Sequence, residues 1–109
     1  MLPMNRGEVW WVNFDPSIGG EIRKHRPAII VSNDAANRAL NRLQVVPLTS
    51  NVQKLYPCEA YVTLKGKQHK AMADQIATVS KRRLERLAGR LSVTDIAAID
   101  RALRVQLAL

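Results

Sequence analysis

Between residues 21 and 26 the chain gathers the side-chain types that phosphate chemistry needs. Glu21 stands among Arg23, Lys24, His25 and Arg26, one carboxylate with four basic or near-basic groups. The segment follows Asp15-Pro16 and the pair Gly19-Gly20, and it leads into the apolar run Ala28-Ile29-Ile30-Val31. Cleaving an RNA phosphodiester without a metal takes a base for the ribose 2′-hydroxyl, cations for the charge that builds around phosphorus, and an acid for the departing 5′-oxygen. One carboxylate beside guanidinium groups holds that inventory, and arginine suits phosphate because its donors fork in a plane. The same composition also describes an ordinary solvated loop.

Two further groups carry polar chemistry. Thr49-Ser50-Asn51 ends the stretch QVVPLT, where hydroxyls and an amide can meet phosphate oxygens or base edges, or simply make a turn. Asp74-Gln75 interrupts the apolar AMADQIATV; on a strand the two point to opposite faces, so one is buried and paired or lines a groove. His25 and His69 lie far apart and lack Asp, Glu or Cys at ligand spacing, so no metal or other cofactor is expected. Cys58, the only cysteine, alternates with apolar neighbours and reads as core rather than nucleophile. Lys81-Arg82-Arg83 reads as a solvated helix face. Of the adjacent Trp10 and Trp11, strand geometry sends one into the core and the other outward or beneath a partner.

The chain that must position these groups has 109 residues, enough for one domain over 1–109, with 47 % apolar and 24 % charged residues. Its net charge of +8 favours a polyanion, either nucleic acid or an acidic protein segment. Residues 1–40 hold five Lys/Arg against four Asp/Glu, so the cluster at Arg23-Lys24-Arg26 is local placement rather than bulk charge. A single cysteine permits no internal disulfide and suggests a reducing compartment. No apolar run approaches a membrane span, and the start lacks the pattern of a signal peptide, so a cytoplasmic protein with no membrane contact is expected.

Aromatic and β-branched content predicts strands over 8–14, 27–32, 44–49, 58–64 and 71–79, with a short one at 89–91. Pro47 marks an edge or a bulge. Lys65-Gly66-Lys67 reads as a turn. Asn33-Asp34 can cap a short helix, Ser80 a basic helix KRRLERL, and Ser92 the final helix, whose Ile96, Ile99, Leu103 and Leu107 form one stripe. The expected architecture is mainly β (α+β): five to six short strands in a small bent sheet or barrel, with short connecting helices and one good C-terminal helix.

In order and spacing, RGEVWWVNFDP, GGE-IRK-HRPAIIVS, VVPLTS, ADQIATV and GRLS resemble the MazF/PemK (Kid) toxins of bacterial toxin–antitoxin modules, from about Arg6 to the last helix. The resemblance implies an SH3-like barrel and a homodimer. It implies a metal-independent endoribonuclease that cuts single-stranded RNA at short sequences, leaving a cyclic phosphate and a 5′-hydroxyl, and an acidic antitoxin that blocks the RNA groove. The family's loop carboxylate falls on Glu21, its loop arginine on Arg26, its threonine on Thr49 and its acid before Gln on Asp74. By that analogy Arg26 meets the scissile phosphate, Glu21 is the base and Thr49 orients the phosphate. Arg23, Lys24 and His25 hold neighbouring phosphates, while Asn33, Ser50, Asn51 and Gln75 read unstacked bases. Met72 stands where Kid-type members carry an arginine that MazF-type members lack, which makes the chain look more MazF-like; Ala77 stands where many members carry Arg or Lys, so no interface or RNA contact is carried over there. Two other readings fit the same barrel: a CcdB-like poison that binds DNA gyrase through its C-terminal helix tip, and an RNA-binding module without chemistry.

Overall fold

The computed structural model describes residues 4–15 and 24–109. Glu21, Arg23 and the pair Gly19-Gly20 lie outside the described residues. Seven strands form: β1 (Glu8–Asn13), β2 (His25–Ile30), β3 (Arg42–Thr49), β4 (Glu59–Leu64), β5 (Lys67–Met72), β6 (Ala77–Ser80) and β7 (Leu84–Arg90). Helix α1 (Asp34–Ala39) joins β2 to β3, and α2 (Val93–Leu107) ends the chain. All pairings are antiparallel, in the order β4-β5-β3-β2-β1-β7, with β6 also paired to β3.

The pleat divides the apolar residues between two faces. Val9, Ile29, Val46, Leu48, Val62 and Leu64 pack on one face with Ile99 and Ala102 of α2. Trp10, Val12, Ala28, Ile30, Leu43, Val45, Val79 and Leu84 fill the other. A sheet covered on both faces needs continuous apolar runs rather than alternation, which is why Ala28-Ile29-Ile30 and Leu43 to Leu48 read as they do. Trp10 is buried and Trp11 half-buried, the latter with the Arg86 guanidinium stacked 4.9 Å from its ring.

Several elements differ from the sequence expectation, each for a local reason. The stretch 71–79 is not one strand: β5 and β6 are separated by a 3-10 turn at Ala73–Gln75, which carries Asp74 and Gln75. Pro47 is buried in central β3, not at an edge. It pairs with Ala28 of β2 on one side, and on the other it falls between the reach of β6, which ends at Val45, and of β5, which begins at Leu48. A residue with no N–H suits that gap. The segment read as a basic helix is a 3-10 turn, Lys81–Arg83, followed by β7, so the expected strand at 89–91 is the end of a longer one. Cys58 is half-buried just before β4 rather than in the core.

Turns and caps follow residue type. Lys65 and Gly66 have φ of 51° and 77° between the paired Leu64 and Lys67, a two-residue hairpin with both central residues left-handed. Asn33 caps α1 by accepting from the Ala36 N–H at 2.8 Å, and Ser92 caps α2 by accepting from the Asp95 N–H at 3.1 Å. Asp34 accepts from the Arg6 N–H at 2.7 Å, which holds its carboxyl below the ordinary value of 3.8. On α2, Ile99 is buried, Ile96 and Leu103 are half-buried and Leu107 is exposed.

Candidate active site

The stem of the Glu21-bearing segment is pinned from both sides. The Phe14 N–H donates to the Lys24 carbonyl at 2.9 Å, and the Lys24 N–H donates to Asp15 Oδ1 at 2.8 Å. Arg83, from the 3-10 turn before β7, donates to the carbonyls of Asn13 and Asp15. Lys24 adopts a φ of 62°, and β2 then enters its pairing with β1, setting His25 opposite Asn13 and Arg26 opposite Val12.

Lys24, His25, Arg26 and Ser50 line one concavity of about 360 Å³. Trp11, Pro27, Leu48 and Leu64 supply its apolar lining, and Lys67 and His69 from β5 complete it. Cations around an apolar floor suit a nucleic-acid strand, because bases have apolar faces and phosphates are anions. Arg26 is the group with an unmet demand: its Nε is buried and has no hydrogen-bond partner among the described residues. A buried guanidinium N–H without an acceptor carries a desolvation cost of about 1–3 kcal/mol, which a phosphate oxygen would relieve.

Thr49 ends β3, the strand whose Pro47 pairs with Ala28 of β2, and it pairs with Lys70 of β5. The Thr49 hydroxyl accepts from the Asn51 N–H at 3.2 Å, and the Asn51 side chain accepts from the Gln53 N–H at 3.4 Å, so the three residues after Leu48 form a defined corner.

Asp74 and Gln75 do not join Lys24, His25 and Ser50. They line a second hollow of about 290 Å³ with Phe14, Thr78, Val79 and Arg83. Phe14, Ala77 and Val79 of its apolar lining belong with the second core face, whereas Ile76 packs against the first. Arg26 lines the first hollow and not this one. Asn33 lines neither; its side chain is spent capping α1. Met72 ends β5, and Ala77 lines the second hollow.

Sequence reasoning missed Trp11, Leu48, Leu64, Lys67 and His69 as lining residues. Lys67 and His69 point to one face by strand alternation from the Lys65-Gly66 turn, but only the pairing of β5 with β3 brings that face to His25. It also missed Glu85, whose Oε1 lies 2.6 Å from His25 Nδ1. Among the described residues, no three His, Cys, Asp or Glu side chains gather closely enough to hold a metal ion.

Comparison with known proteins accords with this geometry. A family model described as "PemK-like, MazF-like toxin of type II toxin-antitoxin system" matches residues 5–107. A relative called Endoribonuclease MazF9, from Mycobacterium tuberculosis (strain ATCC 25618 / H37Rv), is 44 % identical over 95 % of this chain and 96 % of its own length. A crystal structure of MazF from Deinococcus radiodurans superposes with a TM-score of 0.88 at 25 % identity, covering 100 % of both chains. An endoribonuclease from a mycobacterial species, solved in complex with its cognate antitoxin, superposes with a TM-score of 0.81 at 25 % identity, over 96 % of this chain and 95 % of that one. A match across nearly the whole length, carried on the same curled sheet and C-terminal helix, means that the chain belongs to the PemK-like, MazF-like toxins of type II toxin–antitoxin systems.

Proposed function

We propose that the chain is the toxin of a toxin–antitoxin pair and acts as a metal-independent endoribonuclease on single-stranded RNA in the cytoplasm. The observation that carries this reading is Arg26: a guanidinium N–H buried without an acceptor among the described residues, in the lining of a basic concavity that also holds Ser50, the neighbour of Thr49. Arg26 neutralises the scissile phosphate, and Thr49 orients it. Glu21, by its place in the sequence, takes the 2′-hydroxyl proton. Attack of the 2′-oxygen on phosphorus then expels the 5′-oxygen, leaving a cyclic phosphate and a 5′-hydroxyl. Arg23 and Lys24 hold the flanking phosphates, and His25 stands at the scissile one. Ser50 and Asn51 meet unstacked bases, and Gln75, with Asp74 beside it, meets a base at the second hollow.

The chain works as a homodimer, and an acidic antitoxin segment competes with RNA for the same cations, consistent with the net charge of +8. Relatives named endoribonucleases support the chemistry, and the solved complex of an endoribonuclease with its antitoxin supports the partner. The test is incubation of purified protein with single-stranded RNA in excess EDTA, followed by analysis of the new ends. Fragments with 5′-hydroxyl and cyclic phosphate ends are expected. RNA that is bound but left intact across varied sequences would reduce the protein to a binding module.

A further inference from the structure

The contact between His25 and Glu85 is absent from the reaction outlined above. His25 begins β2 and lines the basic concavity, while Glu85 lies on β7 and does not line it. Their side chains meet at 2.6 Å between Nδ1 and Oε1. A carboxylate acceptor draws the proton onto Nδ1 and leaves Nε2 as the ring nitrogen available to a ligand. The ring is held from behind, and its backbone is fixed by pairing with Asn13 of β1.

We infer that Glu85 is a positioning residue that presents Nε2 of His25 to the concavity, where His25 is the acid that protonates the departing 5′-oxygen. The inference rests on the endoribonuclease reading. The 2′-oxygen–phosphorus bond forms and the phosphorus–5′-oxygen bond breaks. The 2′-hydroxyl proton leaves on the base proposed above, the Nε2 proton goes to the 5′-oxygen, and water reprotonates the ring.

Around His25 stand Lys24, Arg26, Lys67 and His69, which line the same concavity, and Asn13 at the paired position of β1, whose carbonyl accepts from Arg83. Asp15 accepts from the Lys24 N–H, and Glu85 is the carboxylate that meets the His25 ring.

The test uses two single-stranded RNA substrates carrying the mapped cleavage site. One has the natural linkage; the other has sulfur in place of the bridging 5′-oxygen, whose thiolate leaves without a proton. His25→Gln is expected to slow the natural substrate by on the order of 10²-fold and to cut the sulfur substrate near the wild-type rate. Glu85→Gln is expected to lose roughly tenfold on the natural substrate, the difference between a charge-assisted and a neutral hydrogen bond. Glu85→Asp should recover part of the rate, and neither Glu85 variant should slow the sulfur substrate, whose leaving group needs no proton. Both side chains are solvent-accessible, and thermal melting verifies that each variant folds. Equal losses on both substrates for His25→Gln, or a Glu85→Gln rate matching wild type, would overturn the pair while leaving the nuclease standing. A wild-type protein that cuts neither substrate would overturn both.

Discussion

At the scale of single residues, two side chains on the adjacent strands β2 and β3 carry the proposed chemistry. Arg26 carries a demand for an acceptor that no described group meets, and Thr49 carries a hydroxyl already oriented by the Asn51 N–H. In the proposed reaction this hydroxyl donates to the developing oxyanion, so Thr49→Ala should lower the cleavage rate by on the order of 10²-fold. Thr49→Ser keeps the hydroxyl and should stay within a few-fold of wild type, as single-turnover kinetics would show. Equal losses in both variants would mean that Thr49 serves only the corner it helps to build. Arg26, Thr49 and Ser50 were legible as candidates because residue type and position relative to an apolar strand are local properties. Lys67 and His69 were not, since their place in the concavity depends on which strand β5 pairs with. Asn33 misled for a physical reason: a helix cap and a base-reading amide look alike in a sequence, and the cap uses the side-chain oxygen.

At the scale of elements, the errors cluster where periodicity is ambiguous. Leu84, Leu87, Ala88 and Leu91 have the spacing of a helix face, yet they belong to β7 and its end. Two register shifts against β1 break the strand's alternation, so Leu84 packs on one core face and Ala88 on the other. The break between β5 and β6 was hidden because Ala, Met and Ile tolerate either a strand or a turn. Caps and hairpin turns were readable, since their chemistry is local. Gly7 is a sharper case. Its φ is +92°, its N–H donates to the Ile30 carbonyl, and its carbonyl accepts from Leu91, joining β1 to the segment before α2. A Cβ there would sit 2.9 Å from Ile96 Cδ1. Gly7→Ala should therefore destabilise the fold by about 1–3 kcal/mol, readable as a lower midpoint in chemical denaturation. An unchanged midpoint would show that α2 yields without cost.

At the scale of the whole molecule, two features of the described surface bear on function: the basic concavity that Arg26 lines and the exposed apolar tip of α2. Val105, Leu107 and Leu109 are exposed at that tip, and the Leu109 N–H closes the helix on the Arg104 carbonyl. A barrel that poisons gyrase would keep its function in such a tip. Deleting Leu107, Ala108 and Leu109 removes the cap and should lower the melting temperature by a few degrees, with RNA cleavage retained below that temperature. Loss of toxicity in cells with RNA cleavage intact would favour the protein-binding poison. The membership in a toxin family was legible from motif order, because the motifs are contiguous segments that span β1, β2 and the end of β3. The existence of two hollows, one lined by Arg26 and the other by Asp74 and Gln75, needed the strand pairing.

The most direct test is single-turnover cleavage of a single-stranded RNA in EDTA by wild type and Arg26→Ala, with circular dichroism on the same samples. The variant is expected to keep the wild-type spectrum and lose cleavage, because the proposed reaction needs the Arg26 guanidinium at the scissile phosphate. A folded Arg26→Ala protein that cuts at the wild-type rate would contradict it.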